Sequence, residues 1–267
     1  MGFGYGDLEF DMNTLGLDIG SGFSKAVVLE DKALCAYAVM PSGGNYKETA
    51  RKIADDALAK CRLSLTDISC TFSTGYGASV VDFADQSITD ISCHAFAINH
   101  LFPTVRTVVD IGTQFSKAIR VDESGKVTNF VLNEKCAGGS GKFLQLISRI
   151  LHVNLDEIGE LSLKARKPVE FTTGCAVFAE SEAISRVAEG APIEDILAGI
   201  HKAMASKIVN LVVRAGLVHD CAVTGGGAKD IGLVRSLEAE LGTKVFVPDE
   251  PQITAAYGAA LFAAGRL

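Results

Sequence analysis

No Cys-x-x-Cys pair occurs anywhere in the 267 residues, and no Gly-x-x-x-x-Gly-Lys-Ser/Thr segment does either. The first absence, with an odd count of seven cysteines and no short secreted framework, points to a reducing compartment where most thiols stay free. The second excludes a P-loop nucleotide site. The opening residues, MGFGYGDLEFDMN, lack a basic start followed by an apolar stretch, so they do not read as a signal peptide. The most apolar tail, TAAYGAALFAAGRL, falls short of the roughly 20 residues a membrane-crossing helix needs. Positive charge is in deficit, with 25 Lys and Arg against 32 Asp and Glu for a net charge of −7. Such a surface repels phosphate backbones and excludes nucleic acid as a partner. A local anion site built from backbone N–H groups needs no net positive charge and stays open. The expectation is a soluble, cytoplasmic protein with no membrane partner.

An apolar share of 48% and 21% charged residues describe a globular chain, long enough for one large domain or two moderate ones. Within it lies an internal repeat. Leu17–Ala26 reads LDIGSGFSKA, and Val109–Ala118, 92 residues later, reads VDIGTQFSKA. Each copy follows a β-type lead-in (Thr14–Leu17; Val105–Val109) and precedes a second apolar stretch (Val27–Leu29; Ile119–Val121), the pattern of a hairpin whose turn presents Asp, Gly and a hydroxyl. Duplication predicts two similar lobes with a cleft where the hairpins face each other. Further strands are expected at Ala33–Met40, Cys70–Ser73, up to Leu132, at Cys221–Thr224 and at Val245–Val247. Helices are expected at Lys47–Ala59, Ser87–His100, Lys142–Leu151, just after Cys175, at Pro192–Ala215, Ile231–Leu241 and Thr254–Ala263. The helix at Pro192–Ala215 is the clearest, with proline in its first turn, an apolar stripe and Gly216 past its end. Alternating strands and helices define an α/β class.

A glycine turn with Asp and Ser or Thr can cradle phosphates on backbone N–H groups while its carboxylate holds magnesium. Two such turns, followed by a strand, Gly225-Gly226-Gly227 and a helix, make a three-part pattern for nucleotide binding. These parts in this order resemble the actin, heat-shock chaperone and sugar-kinase superfamily. The resemblance implies a two-lobed, duplicated actin/sugar-kinase-like (ribonuclease H-like) α/β fold with central mixed sheets. One lobe would span 12–106 and be completed by a C-terminal helix, 254–267; the other would span 107–253. Asp18-Ile-Gly20-Ser21 resembles the first phosphate motif, with Gly22 and Lys25 beside it, and Asp110-Ile-Gly112-Thr113 the second. Thr224-Gly225-Gly226-Gly227 resembles the adenosine motif and Thr254–Ala260 the closing connecting helix. By that resemblance Asp18 and Asp110 organise Mg²⁺ and the attacking water for ATP hydrolysis, with Gln114 alongside.

Cys136 and Cys175 stand where helices are expected to begin, among small residues, and a helix N-terminus favours thiolate. Two thiolates per chain are too few for a four-iron cluster, and a two-fold dimer supplies the other two. Asn133-Glu-Lys-Cys136-Ala-Gly-Gly-Ser-Gly-Lys-Phe-Leu, Cys175-Ala-Val-Phe-Ala-Glu-Ser-Glu, Ala198-Gly-Ile-His-Lys and Ser92-Cys-His-Ala resemble one family in particular. It comprises the activators (component A) of 2-hydroxyacyl-CoA dehydratases and the related ATPase subunits of benzoyl-CoA reductases. Membership implies a homodimer sharing one [4Fe–4S] cluster on Cys136 and Cys175. It also implies ATP-coupled passage of a low-potential electron, from a donor such as ferredoxin or flavodoxin, to an iron–sulfur acceptor enzyme. The second motif departs from the family's Asp-Ile-Gly-Gly-Gln-Asp: Phe115 replaces its last Asp, which bears on magnesium handling and on the partner served. Cys35, Cys70 and Cys221 are expected in the core, Cys61 and Cys93 in or beside helices without partners. His94 and His201 are expected to be structural, and Glu180 and Glu182 to form surface pairs. Two rival readings are a cluster-free kinase of a sugar or carboxylic acid and a non-catalytic actin-like regulator. The colour of protein purified without oxygen separates all three.

Overall fold

A computed structural model describes residues 12–133, 137–171 and 176–266. The first repeat forms β1 (Asn13–Ile19) and β2 (Phe23–Glu30), paired antiparallel, and β3 (Ala33–Pro41) extends the meander. The β2–β3 turn, Asp31-Lys32, holds both residues at positive φ, 49° and 68°, the geometry that matches strand twist in a two-residue hairpin. After α1 (Tyr46–Cys61), capped by the Asn45 side chain and closed by left-handed Arg62, the chain adds β4 (Cys70–Thr74) parallel to β1 and the short β5 (Gln86–Ser87). Next comes α2 (Asp90–Leu101). It starts later than the expected Ser87 because Ile88 pairs with Ser73, and Thr89 accepts from the Ser92 N–H as its cap.

The second repeat builds the same motif: β6 (Thr107–Ile111), β7 (Ser116–Val121) and β8 (Val127–Leu132). Where the first half inserts only α1 and a one-turn helix before its parallel strand, the second inserts, among the described residues, a one-turn helix and four α-helices. These four are α3 (Gly141–Leu151), α4 (Ile158–Ser162), α5 (Ala176–Ala188) and α6 (Ile193–Ala215). Then β9 (Cys221–Thr224) joins β6 in parallel, and α7 (Ile231–Leu241) and α8 (Thr254–Arg266) complete the chain. The sheets read β3-β2-β1-β4-β5 and β8-β7-β6-β9. The expected strand Val245–Val247 shrinks to one parallel bridge, Ala222 to Phe246, in the place β5 holds in the other sheet. Phe246 exchanges bonds with Cys221 and Val223, and Pro248, two residues on, has no N–H to continue the ladder. The five-residue α4 had no expected counterpart, and Pro192 caps α6 from outside rather than sitting in its first turn.

Each central strand is buried on both faces. Leu15, Leu17 and Ile19 pack under Ile53, Ala54 and Leu58 of α1, while Val27 and Leu29 meet Ala256, Ala260 and Leu261 of α8. In the other sheet Val109 and Ile111 pack with Ile200, Met204 and Ile208 of α6, and Val108 and Ile119 meet Ala95 and Ile98 of α2. Helices α2 and α8 therefore lie between the two sheets, packed on each other. Gly258 lies so close to α2 that an added Cβ would stand 2.0 Å from the Cys93 carbonyl oxygen, and Phe96 stacks on Phe262 at 4.4 Å. By length and composition α6 is apolar enough to cross a membrane, but 56% of its apolar window is buried in this core.

Candidate nucleotide cleft

Antiparallel register places each repeat's lysine directly across from its aspartate: Asp18 opposite Lys25, Asp110 opposite Lys117. Lys25 Nζ reaches Asp18 Oδ2 at 2.8 Å, and Lys117 Nζ reaches Asp110 Oδ2 at 2.9 Å. The duplicated Phe-Ser-Lys-Ala is thus half of a duplicated ion pair. A second duplication appears at the ends of β4 and β9, where Thr74-Gly75-Tyr76-Gly77 matches Thr224-Gly225-Gly226-Gly227. Gly75 (φ 87°) and Gly225 (φ 81°) occupy backbone space only glycine enters readily, each so near its lobe's aspartate that a Cβ would fall 2.3 Å from Oδ1.

The aspartates differ in what surrounds them. Asp110 is 3% exposed; His94 Nε2 lies 3.5 Å from its Oδ1, and Lys117 also pairs with Asp90 at the start of α2. Burial pulls the Asp110 carboxyl upward, but neighbouring His94 and the ammonium groups of Lys117 and Lys25 outweigh it and hold the group below the usual carboxylate range. Burial likewise pulls Lys117 down, and Asp110 and Asp90 more than reverse it, so this amine is raised and stays charged. His94, expected to be structural, is buried between Asp110 and Thr224 at the wall of the cleft. His201 is structural as expected: buried, with Nδ1 2.9 Å from Ser162 Oγ and Nε2 2.9 Å from Asp230 Oδ2.

The hairpin turns meet across a cleft of about 1000 Å³. Gly22 abuts Thr113, whose Cγ2 and Oγ1 would be 2.6 and 2.7 Å from an added Cβ. Gly20, Ser21, Gly112, Thr113 and the exposed Gln114 line the cleft, as do Gly225, Gly226 and Gly227. Ser42 braces the first turn, its hydroxyl donating to Gly20 O at 2.6 Å and its N–H to Gly22 O at 3.0 Å. Gly226 has open space where a Cβ would go, its nearest neighbour being Gln252 at 3.9 Å. Phe115 occupies the wall where the family pattern has a carboxylate, and its carbonyl accepts from the Gly112 N–H. The carboxylate nearest Lys117 besides Asp110 comes from Asp90 instead.

Cys136 and Cys175 lie outside the described residues. Directly beyond Cys136 come a single helical turn, Ala137–Gly139, and then α3; directly beyond Cys175, α5 begins at Ala176. The second hairpin turn bonds directly to the start of α3. Gly141 N–H donates to Gly112 O at 2.9 Å, Lys142 N–H to Thr113 O at 2.8 Å, and the Ser116 hydroxyl to Gly139 O. Cys70, Cys93 and Cys221 are buried and free, with burial pushing the Cys93 thiol up to about 12. Cys35 and Cys61 depart from expectation: Cys35 is exposed rather than core, and the two form a disulfide. Cys35 is the extra residue of a β-bulge, which turns it out of the strand's alternation toward the end of α1.

A duplicated meander with a parallel fourth strand, two glycine-turn aspartates facing each other and a glycine-rich third turn define an actin- and sugar-kinase-like nucleotide-cleft fold. The chain belongs to the BadF/BadG/BcrA/BcrD ATPase family, whose sequence profile matches residues 15–263. It is 43% identical over 252 residues, 94% of this chain and 97% of the relative, to an activator of lactoyl-CoA dehydratase from Anaerotignum propionicum. Among solved structures it is similar to the activator of 2-hydroxyisocaproyl-CoA dehydratase from Clostridium difficile with bound ADPNP. That match has a TM-score of 0.92 and 40% identity, covering 96% of this chain and 95% of that one. In fold alone it is similar to a ROK family glucokinase from Streptomyces griseus, with a TM-score of 0.58 and 12% identity, covering 95% and 99% of the two chains.

Proposed function

We propose that this chain is an ATP-dependent one-electron activator: a cytoplasmic homodimer that hydrolyses ATP in the cleft and passes a low-potential electron to an iron–sulfur acceptor such as a 2-hydroxyacyl-CoA dehydratase. The described residues suit a magnesium nucleotide. Two hairpin turns offer backbone N–H groups, two buried carboxylates offer hard oxygen donors, and Lys25 and Lys117 balance added negative charge. In this reading Asp18 and Asp110 orient magnesium and water, with Gln114 beside them. Gly20, Ser21, Gly22, Lys25, Gly112 and Thr113 hold the phosphates, and Gly225–Gly227 hold the nucleoside. Cys136 and Cys175 bind half of a [4Fe–4S] cluster that supplies the one-electron chemistry, and ferredoxin or flavodoxin is the donor. The moving bodies are 12–106 with the C-terminal helix, and 107–253.

One observation carries the coupling: the bonds from Gly112 and Thr113 to Gly141 and Lys142, with Ser116 holding Gly139. A shift of the phosphate turn must displace the backbone a few residues beyond Cys136, which makes nucleotide state and cysteine-loop state linked quantities. The test is anaerobic purification with iron analysis, visible absorption and sizing. Brown protein with about four irons per dimer, lost in Cys136→Ala while ADPNP binding persists, is the expected result. Iron retained in Cys136→Ala, or colourless wild-type protein, overturns the reading.

A further inference from the structure

Of the five cysteines outside the cleft and the proposed cluster, Cys35 and Cys61 lie opposite each other. Cys35 is exposed on the sheet-edge strand β3, and Cys61 is the last residue of α1, half-buried among the residues packed on the first core. Their Cα atoms are 6.3 Å apart across 26 residues of sequence. Several features other than the sulfur–sulfur bond hold them opposed. The bulge between Val28 and Leu29 aims Cys35 off the strand, and left-handed Arg62 stops the helix directly after Cys61. Lys60 crosses from α1 to β3, donating to Tyr37 O at 2.6 Å with its ammonium 5.7 Å from the Tyr37 ring. Leu63 N–H closes on Leu58 O. With the bond open, these contacts keep the thiols adjacent, so closing it restricts little that is not already fixed.

We propose that Cys35 and Cys61 form a reversible dithiol–disulfide site that exchanges with low-molecular-weight disulfides such as oxidised glutathione. The more exposed Cys35 attacks one sulfur of the small disulfide, which releases one thiol and leaves a mixed disulfide. Cys61 then attacks the Cys35 sulfur and expels the second thiol. Two protein thiols are oxidised, one external disulfide is reduced to two thiols, and the two protons move from the cysteines to those thiols. Selectivity arises from the state of the other described thiols. Cys70, Cys93 and Cys221 are buried, and burial pushes Cys93 up to about 12 and Cys221 up to about 11, which starves them of thiolate. The site lies on the strand that leads to the Ser42 brace of the first phosphate turn. It stands independently of the electron-transfer reading.

The experiment equilibrates the full-length protein, without oxygen, across ratios of oxidised to reduced glutathione. It is then quenched by alkylation, and the peptides containing Cys35 and Cys61 are read by mass spectrometry. A linked peptide should appear with oxidised glutathione and vanish on adding dithiothreitol to the native protein. The oxidised form should melt on the order of 5 °C above the reduced one. That difference should be absent in Cys35→Ser and in Cys61→Ser, each compared only with itself so that any loss of stability cancels. Alkylated or singly glutathionylated Cys35 and Cys61 at every ratio overturns the proposal, as does an oxidation-dependent melting shift that survives in both variants. A link that dithiothreitol does not open in the folded protein overturns its reversibility.

Discussion

Asp110 and Asp18 sit in nearly the same local sequence and have the same cross-strand lysine, yet Asp110 also has His94 beside it and shares its lysine with Asp90. His94 and Asp90 come from α2, so the surroundings of Asp110 and Lys117 are completed by a helix that precedes them in the chain. Asp110→Asn should therefore lower ATPase kcat by roughly 10²–10³-fold while ADPNP binding, read by calorimetry, persists. The variant also tests the depressed carboxyl. A carboxyl held low in the fold adds stability above its unfolded value near 4, and that stability is lost as pH falls through the lower folded value. The gap in urea midpoint between wild type and Asp110→Asn should be largest near pH 6 and shrink toward pH 3; a constant gap contradicts it. The repeat made Asp18 and Asp110 legible from sequence, and it even displayed both lysines. What it withheld was the pairing, which needs strand register, and His94 and Asp90, which reach the site only through packing of α2.

Among the elements, the long amphipathic and glycine-punctuated ones were legible: α6 and α7 fall within a residue of the bounds read from sequence. Of the short elements, β4 and β9 were legible to within a residue and others were not. Five-residue α4 offers too little periodicity, and Val245–Val247 has β-type residues but a proline that ends its ladder. The Thr-Gly-x-Gly duplication escaped because the helices between β8 and β9 put its second copy at a different offset from the first repeat. The α2–α8 contact was invisible for another reason: nothing in a sequence says which glycine faces a foreign backbone. Gly258→Ala should force these helices apart, since the Cβ would sit 2.0 Å from Cys93 O. A cost of about 3 kcal/mol, or on the order of 6–12 °C in Tm, is the expected calorimetric result. Gly265→Ala, where no atom lies within 4 Å of the added Cβ, serves as the control.

At the scale of the molecule, the two turns approach each other at Gly22 and the Thr113 side chain, where an added Cβ on Gly22 has no room. A ligand bound only by the folded state adds about 2.7 kcal/mol at a hundredfold excess over Kd. Magnesium ADPNP should raise the melting temperature of wild type accordingly, and Gly22→Ala, whose added Cβ would stand 2.6 Å from Thr113 Cγ2, should erase most of that rise as well as lower the unliganded value. An undiminished rise in Gly22→Ala would show that the turns do not approach during binding. The layer between the sheets has a further mechanical meaning. Helix α8 lays Ala256 and Ala260 against Val27 and Leu29, and Ala255, Ala259 and Ala263 among Cys70, Phe72 and Cys93, with Gly258 against the Cys93 carbonyl. Large side chains interdigitate and resist sliding until they jump, whereas a methyl-studded face offers shallow grooves. The alanine stripe therefore seats α8 flush on its own sheet, while its seam with α2 is keyed by the Phe96–Phe262 and His100–Tyr257 rings, so the two helices form one riveted layer between the sheets.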